Sequence, residues 1–223
     1  MVHRNPREDE IGFGIGDDIA PYPQSARFTL EEIEGFYNEM AEVLAESGVD
    51  LFLVEPMGRD NEARLIQAKA AKATGLPVWV GFDAYVDDNG AVILGGAEKT
   101  VPTPEGARVI NDDMPLSEAV AEIRIEEPDV MAVFHSSVKD TNAALDVLMS
   151  EWSGPTLAYP CASRPALVAG AYEEVTPGDF IGVANDWVGR GVQVIGTCCG
   201  YGVEYIEPLR DVLPDKIASP RAA

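Results

Sequence analysis

The sequence predicts an α/β protein built on a parallel sheet with helical crossovers. Three observations carry that expectation. Short, nearly continuous apolar runs recur along the 223 residues. Almost every run is followed by an amphipathic stretch at helical spacing. Polar or reactive side chains stand just past the runs: Asp17, Glu55, Asp83, His135, Cys161, Cys198 and Cys199. Continuous apolar strands mark a sheet covered on both faces, and parallel strands need long crossovers, usually helices. The C-terminal ends of such strands are where (β/α) barrels and open α/β sheets build their sites.

The elements follow in order. Ile11–Ile15 is the first apolar run, broken by glycines and followed by Asp17-Asp18 and a Pro-rich loop. Thr29-Leu30-Glu31-Glu32 reads as a capping box. Behind it Ile33, Phe36, Tyr37, Met40, Val43 and Leu44 keep helical spacing until Gly48. Leu51–Val54 is a buried strand entering Glu55-Pro56. An Ala- and Lys-rich helix spans about Asn61 to Thr74 and stops at Gly75. Pro77–Phe82 is a strand, and Val86–Leu94 reads as a turn or small hairpin about Asp88-Asn89-Gly90. Ser117 is the expected cap of a helix ending before Pro128. Val130–Phe134 is a strand leading into His135-Ser136-Ser137, Thr141–Met149 a helix, and Thr156–Tyr159 a strand entering Pro160-Cys161. Thr176-Pro177 opens a helix with proline at its first position. Val192–Ile195 is the last strand, and a helix through Ile206 and Leu209 closes the pattern. Residues 1–213 read as one domain and 214–223 as a loose tail.

Composition narrows the function. Lys and Arg total 16 against 38 Asp and Glu, a formal charge of −22. Such a chain has little with which to neutralise nucleic-acid phosphates or to bind an anionic membrane surface. No apolar run reaches the ~18 residues of a membrane span, and Met1–Glu10 lacks the apolar stretch of a signal peptide. Three cysteines, two of them adjacent, make no disulfide framework. The expectation is a cytoplasmic protein without a nucleic-acid or membrane partner.

Gly196-Thr197-Cys198-Cys199-Gly200 directly follows an apolar strand. Two vicinal cysteines cannot both point into a core, and the flanking glycines let the backbone turn sharply. Three readings stay open on the residues alone. The pair is part of a zinc site, for which thiolates are suitable ligands; it is a reactive dithiol; or one cysteine packs and the other is incidental. No C-x-x-C spacing supports a redox motif.

The stretch from Trp187 through Val194-Ile195-Gly196-Thr197-Cys198-Cys199-Gly200-Tyr201 to Ile206 resembles the homocysteine S-methyltransferase family, which carries a Trp on its last crossover helix and then G-G-C-C-G. Gly48-Val49-Asp50 with Leu53-Val54-Glu55, Pro77–Phe82 with Asp88-Asn89-Gly90, and Tyr159-Pro160 resemble further segments of that family in the right order. The resemblance runs from about residue 11 to 213. It implies a (β/α)8 TIM-barrel type of fold and zinc-dependent transfer of a methyl group to the thiol of homocysteine, giving methionine. The methyl donor is left open. Glu55 matches the family's contact to the substrate amino group, and Cys198 and Cys199 match two zinc ligands.

Three departures from the pattern matter. The family's third ligand, a Cys after the sixth strand, falls at Ser136, whose neutral hydroxyl is a poor zinc ligand. A cysteine stands instead at Cys161, so that either Cys161 or His135 is the expected replacement. Only six β/α units are visible against the eight of a closed barrel. The two N-terminal units, with the glycine-rich loop that holds homocysteine, are then missing, or a second chain or a homo-oligomer completes the barrel. The residues also have ordinary readings: His135 as a hydrogen-bonded loop residue, Cys161 as a small buried hydrophobe, Glu55 as a cap for loop amides. The alternative to an enzyme is a non-catalytic relative that binds a small molecule or a partner without turnover.

Overall fold

The computed structural model describes residues 30–56, 61–95, 99–103, 106–110, 114–162 and 175–214. Helix α1 (Leu30–Glu46) leads to β1 (Phe52–Val54), α2 (Asn61–Ala73), β2 (Val78–Val86) and β3 (Val92–Leu94). A separate ribbon of β4 (Lys99–Thr103) and β5 (Gly106–Ile110) follows, then α3 (Leu116–Ile123) and β6 (Val130–Phe134). The chain continues through α4 (Val138–Glu151), β7 (Thr156–Tyr159), α5 (Pro177–Arg190), β8 (Val194–Ile195) and α6 (Val203–Val212). The parallel strands lie in the order β1-β2-β6-β7-β8, with Val54 beside Val80, Phe82 beside Val133, Phe134 beside Tyr159 and Ala158 beside Ile195. They curl into a half-barrel, the parallel sheet with helical crossovers that the strand–helix alternation predicts and part of the TIM-barrel type that the family resemblance implies.

Side chains alternate across this sheet because the strand period is two. Val78, Val80, Phe82, Met131, Val133 and Ala158 join the large core against the helices. Val130, Ala132, Phe134, Leu157 and Tyr159 form a second cluster on the opposite, inner face, where Leu53, Trp79, Val194 and Cys198 pack on them. Gly81 occupies its inner-face position because a Cβ there would lie 2.7 Å from the Phe134 ring. The last helices are pinned by aromatic side chains. Phe180 stands edge-on to Trp187 and stacks on Tyr201, and the fully buried Trp187 donates its indole N–H to Asn142 at 2.6 Å. Complete burial of a side chain such as Phe180 contributes roughly 2–3 kcal/mol.

Several sequence expectations are refined. Ser117 lies inside α3, whose first turn follows Pro115 without a side-chain cap; among the described residues Ser137 on α4 and Thr176 on α5 do cap, each accepting an amide three residues on. The parallel ladder of β2 stops at Asp83, but the strand runs on to Val86 because β3 folds back on it, so Asp83 sits within a strand. The predicted turn is there, with the Asp87 carboxylate accepting the amides of Asn89 and Ala91. The β4–β5 ribbon was not expected. On α1, Tyr37 and Leu44 face the core, whereas Phe36 and Val43 are exposed. The strand expected at Ile11–Ile15, the Thr29 cap and the tail beyond Pro214 lie outside the described residues.

Candidate metal centre

Strands β6, β7 and β8 end side by side, and the loops leaving them knit together. The Cys198 amide donates to the Pro160 carbonyl at 2.8 Å, the Ala162 amide to Cys199 at 2.8 Å, and the Cys161 amide to Ser136 at 3.0 Å. Gly200 makes this loop possible twice over. Its φ of 82° suits a residue without Cβ, and a Cβ would sit 2.6 Å from that of Ala162.

At the end of β6 the backbone reverses its usual alternation. His135 takes a φ of 50°, a left-handed conformation uncommon outside glycine. Ser136 is consequently turned into the sheet, where its hydroxyl accepts the Ala84 amide at 2.9 Å and donates to the Phe134 carbonyl at 2.8 Å. Ser137 caps α4 through Asp140, and Asp140 reaches back to the Val86 amide at 3.0 Å. Both serines are thus held by backbone groups or the cap, and the His135 ring faces the thiols.

The result is a cluster of three donors. Sγ of Cys198 is 3.6 Å from Sγ of Cys199 and 3.7 Å from Nδ1 of His135; Sγ of Cys199 is 4.0 Å from that nitrogen. A tetrahedral zinc ion with sulfur at about 2.3 Å and nitrogen at about 2.0 Å sets its ligands about 3.5–3.8 Å apart. The donor set and its spacing therefore fit zinc, and three protein ligands is the number that leaves a catalytic zinc one corner for substrate. Cys199 is exposed and Cys198 and His135 are half-buried, so the cluster opens to solvent.

Burial, opposed by the Cys199 amide and reinforced by the thiols of Cys199 and Cys161, pushes the Cys198 thiol up to about 12. Without a cation these surroundings favour the protonated form of Cys198. Burial lowers the pKa of His135, keeping the imidazole neutral and able to ligate. Its Nε2 is buried with no hydrogen-bond partner among the described residues.

The other expected residues are placed differently. Cys161 is buried at the end of β7, near enough to Cys198 to affect its proton, but it is not one of the three groups whose donor atoms lie within 4.8 Å of one another. Glu55 follows β1, at the same edge of the sheet but beyond β2 from His135. Burial raises its pKa. The adjoining Pro56 carbonyl accepts from Arg64 at 3.2 Å, and the fully buried Arg64 also donates to Gly81, Asn61 and Asp83. Arg64 gave no sign in the sequence, standing in a helix that reads as Ala- and Lys-rich. Tyr159, which the sequence marks only as part of the Tyr159-Pro160 segment, has its hydroxyl buried without a hydrogen-bond partner among the described residues.

Fold and site define a class: a parallel half-barrel with a cysteine–histidine donor cluster at the C-terminal edge of its strands. The chain belongs to the homocysteine S-methyltransferase family, whose model matches residues 11–213. Among solved structures it is similar to the homocysteine methyltransferase MmuM from Escherichia coli. With the apo form the TM-score is 0.57 at 18% identity, over 85% of this chain and 60% of that one. With the metallated form it is 0.56 at 18%, over 82% and 52%, and with the oxidized form 0.54 at 20%, over 81% and 51%. The likeness at these identities is one of fold, and the chain spans about half to three fifths of those proteins. No curated protein matches the sequence.

Proposed function

We propose that this chain transfers a methyl group to the thiol of homocysteine, giving methionine, at a zinc site made by His135, Cys198 and Cys199. The observation that carries this reading is the set of three donor separations, 3.6, 3.7 and 4.0 Å, at the strand edge where such folds build sites. Membership of the family supplies the reaction class, and MmuM is a homocysteine methyltransferase with a metallated form. Support for His135 rather than Cys161 as third ligand is its Nδ1 facing both thiols, together with the commitment of Ser136 to the sheet.

Zinc bound there would lower the pKa of a thiol at its open corner, so that a thiolate nucleophile exists at neutral pH. The chain's own residues do the rest. His135 would hold the ion as a neutral ligand, and Cys198 and Cys199 would hold it as thiolates. Glu55 would receive the ammonium group of the amino-acid acceptor. The thiolate attacks the donor's methyl carbon in line; the new S–C bond forms as the bond to the leaving group breaks, and the leaving group keeps its electron pair.

The test is zinc per chain, by elemental analysis, on wild type, His135→Ala and Cys161→Ala, with and without homocysteine. About one zinc in wild type and Cys161→Ala, and its loss in His135→Ala, is expected, with methionine formation when methyl donors are screened. No zinc in wild type, even with homocysteine present, would favour a relative without turnover.

A further inference from the structure

Among the described residues the Tyr159 hydroxyl has no hydrogen-bond partner, and the residue is only 8% exposed. Buried polar groups are ordinarily satisfied, so each exception asks for a reason. The position of this one is informative. Tyr159 ends β7, the strand between β6, which delivers His135, and β8, which delivers the cysteines. It lies opposite Phe134 in the ladder and stacks on that ring at 5.8 Å. It belongs to the inner-face cluster against which Cys198 packs. The Gly196 backbone comes so close that a Cβ there would be 3.2 Å from that of Tyr159. Ring and backbone are therefore fixed, and only the phenolic O–H is left over.

We infer that the Tyr159 hydroxyl is a substrate-positioning group that donates a hydrogen bond to the carboxylate of the amino-acid thiol. This rests on the function proposed above. A phenol is a neutral donor, so it can serve an anion in an apolar setting without bringing a second charge into it. The acidic partner at this edge, Glu55, suits the ammonium end of the same molecule, which leaves the carboxylate in need of a donor.

The experiment compares the zinc-loaded full chain and its Tyr159→Phe variant by calorimetric titration with two probes: homocysteine, and 3-aminopropane-1-thiol, which lacks the carboxylate. The variant should bind homocysteine about tenfold or more weakly, the usual effect of losing a hydrogen bond to a charged group, while its affinity for the aminothiol stays the same. The unliganded variant should melt at the same temperature as wild type or higher, because the hydroxyl removed had no partner. Equal weakening for both probes would make Tyr159 a packing residue and overturn the inference, as would unchanged affinity for homocysteine or a variant that fails to fold. Wild type that binds neither probe would instead overturn the thiol-methylation reading itself.

Discussion

His135 holds a backbone conformation that costs a non-glycine residue on the order of 1–3 kcal/mol, and Ser136 and Ser137 supply the hydrogen bonds that keep it there. This explains what could and could not be read at residue scale. Cys198 and Cys199 were legible because glycines frame them at a strand end. His135 and Cys161 could only be offered as alternatives, because the choice turns on one φ angle that no glycine or asparagine announces. Glu55 supports a prediction about protons. Burial raises its pKa, so the folded chain favours the protonated carboxyl more than the unfolded chain does. That contribution is complete below the usual carboxylate pKa and is lost as pH rises through the folded value, leaving an ionised group that opposes folding at neutral pH. Glu55→Gln should therefore raise the melting temperature at pH 7, and the gain should shrink towards pH 4. Thermal melts across that range decide it, and a variant less stable at pH 7 would show that the carboxylate has a structural partner.

Arg64 shows what one element contributes to the site's frame. The helix carrying it was legible to within a residue, since Gly75 stops it and its alanines keep the helical face small. Its buried guanidinium was not, because neither period nor composition distinguishes one basic side chain of α2 from another. In the structure Arg64 joins three places: the Gly81 carbonyl in β2 at 2.9 Å, the Asp83 carboxylate at 3.5 Å, and the Pro56 carbonyl just after Glu55. It also stands over the Phe82 ring, 5.1 Å from its centre. Removing Arg64 takes the buried cation and its hydrogen bonds to Gly81, Asn61, Pro56 and Asp83 out together, and breaking a buried pair costs far more than the pair contributes net. Arg64→Met should destabilise the chain by about 3–5 kcal/mol in urea unfolding. A loss below about 1 kcal/mol, the range of exposed pairs, would mean that Asp83 finds other partners. The β4–β5 ribbon was illegible for a different reason: Pro102 interrupts the first short strand and Gly106 opens the second, so neither shows the apolar alternation by which a strand is read.

At the scale of the whole molecule the order of strands and helices was readable, because each parallel strand must be followed by a crossover that returns to the same edge, and β1, β2, β6, β7 and β8 obey that rule. The charge was readable too, and it makes its own demand. With 38 acidic side chains against 16 basic ones, ion pairs cannot neutralise the surface. Those formed by Arg124 with Glu151, Lys69 with Glu126 and Arg190 with Asp146 are at least partly exposed, and such pairs contribute about 0–1 kcal/mol each. Like-charge repulsion acts over the whole surface and opposes the compact state. Added salt weakens both effects, but the attractions are few and the repulsions many, so screening should stabilise the fold. The Debye length falls from about 10 Å at 0.1 M to about 3 Å at 1 M. The melting temperature should therefore rise steadily over that range in sodium chloride, with most of the rise at the low end, where the length changes fastest. Potassium chloride should give the same curve, because screening depends on ionic strength. A rise found with one cation alone would point to a bound ion, and a fall would mean that the few ion pairs outweigh the net charge of −22.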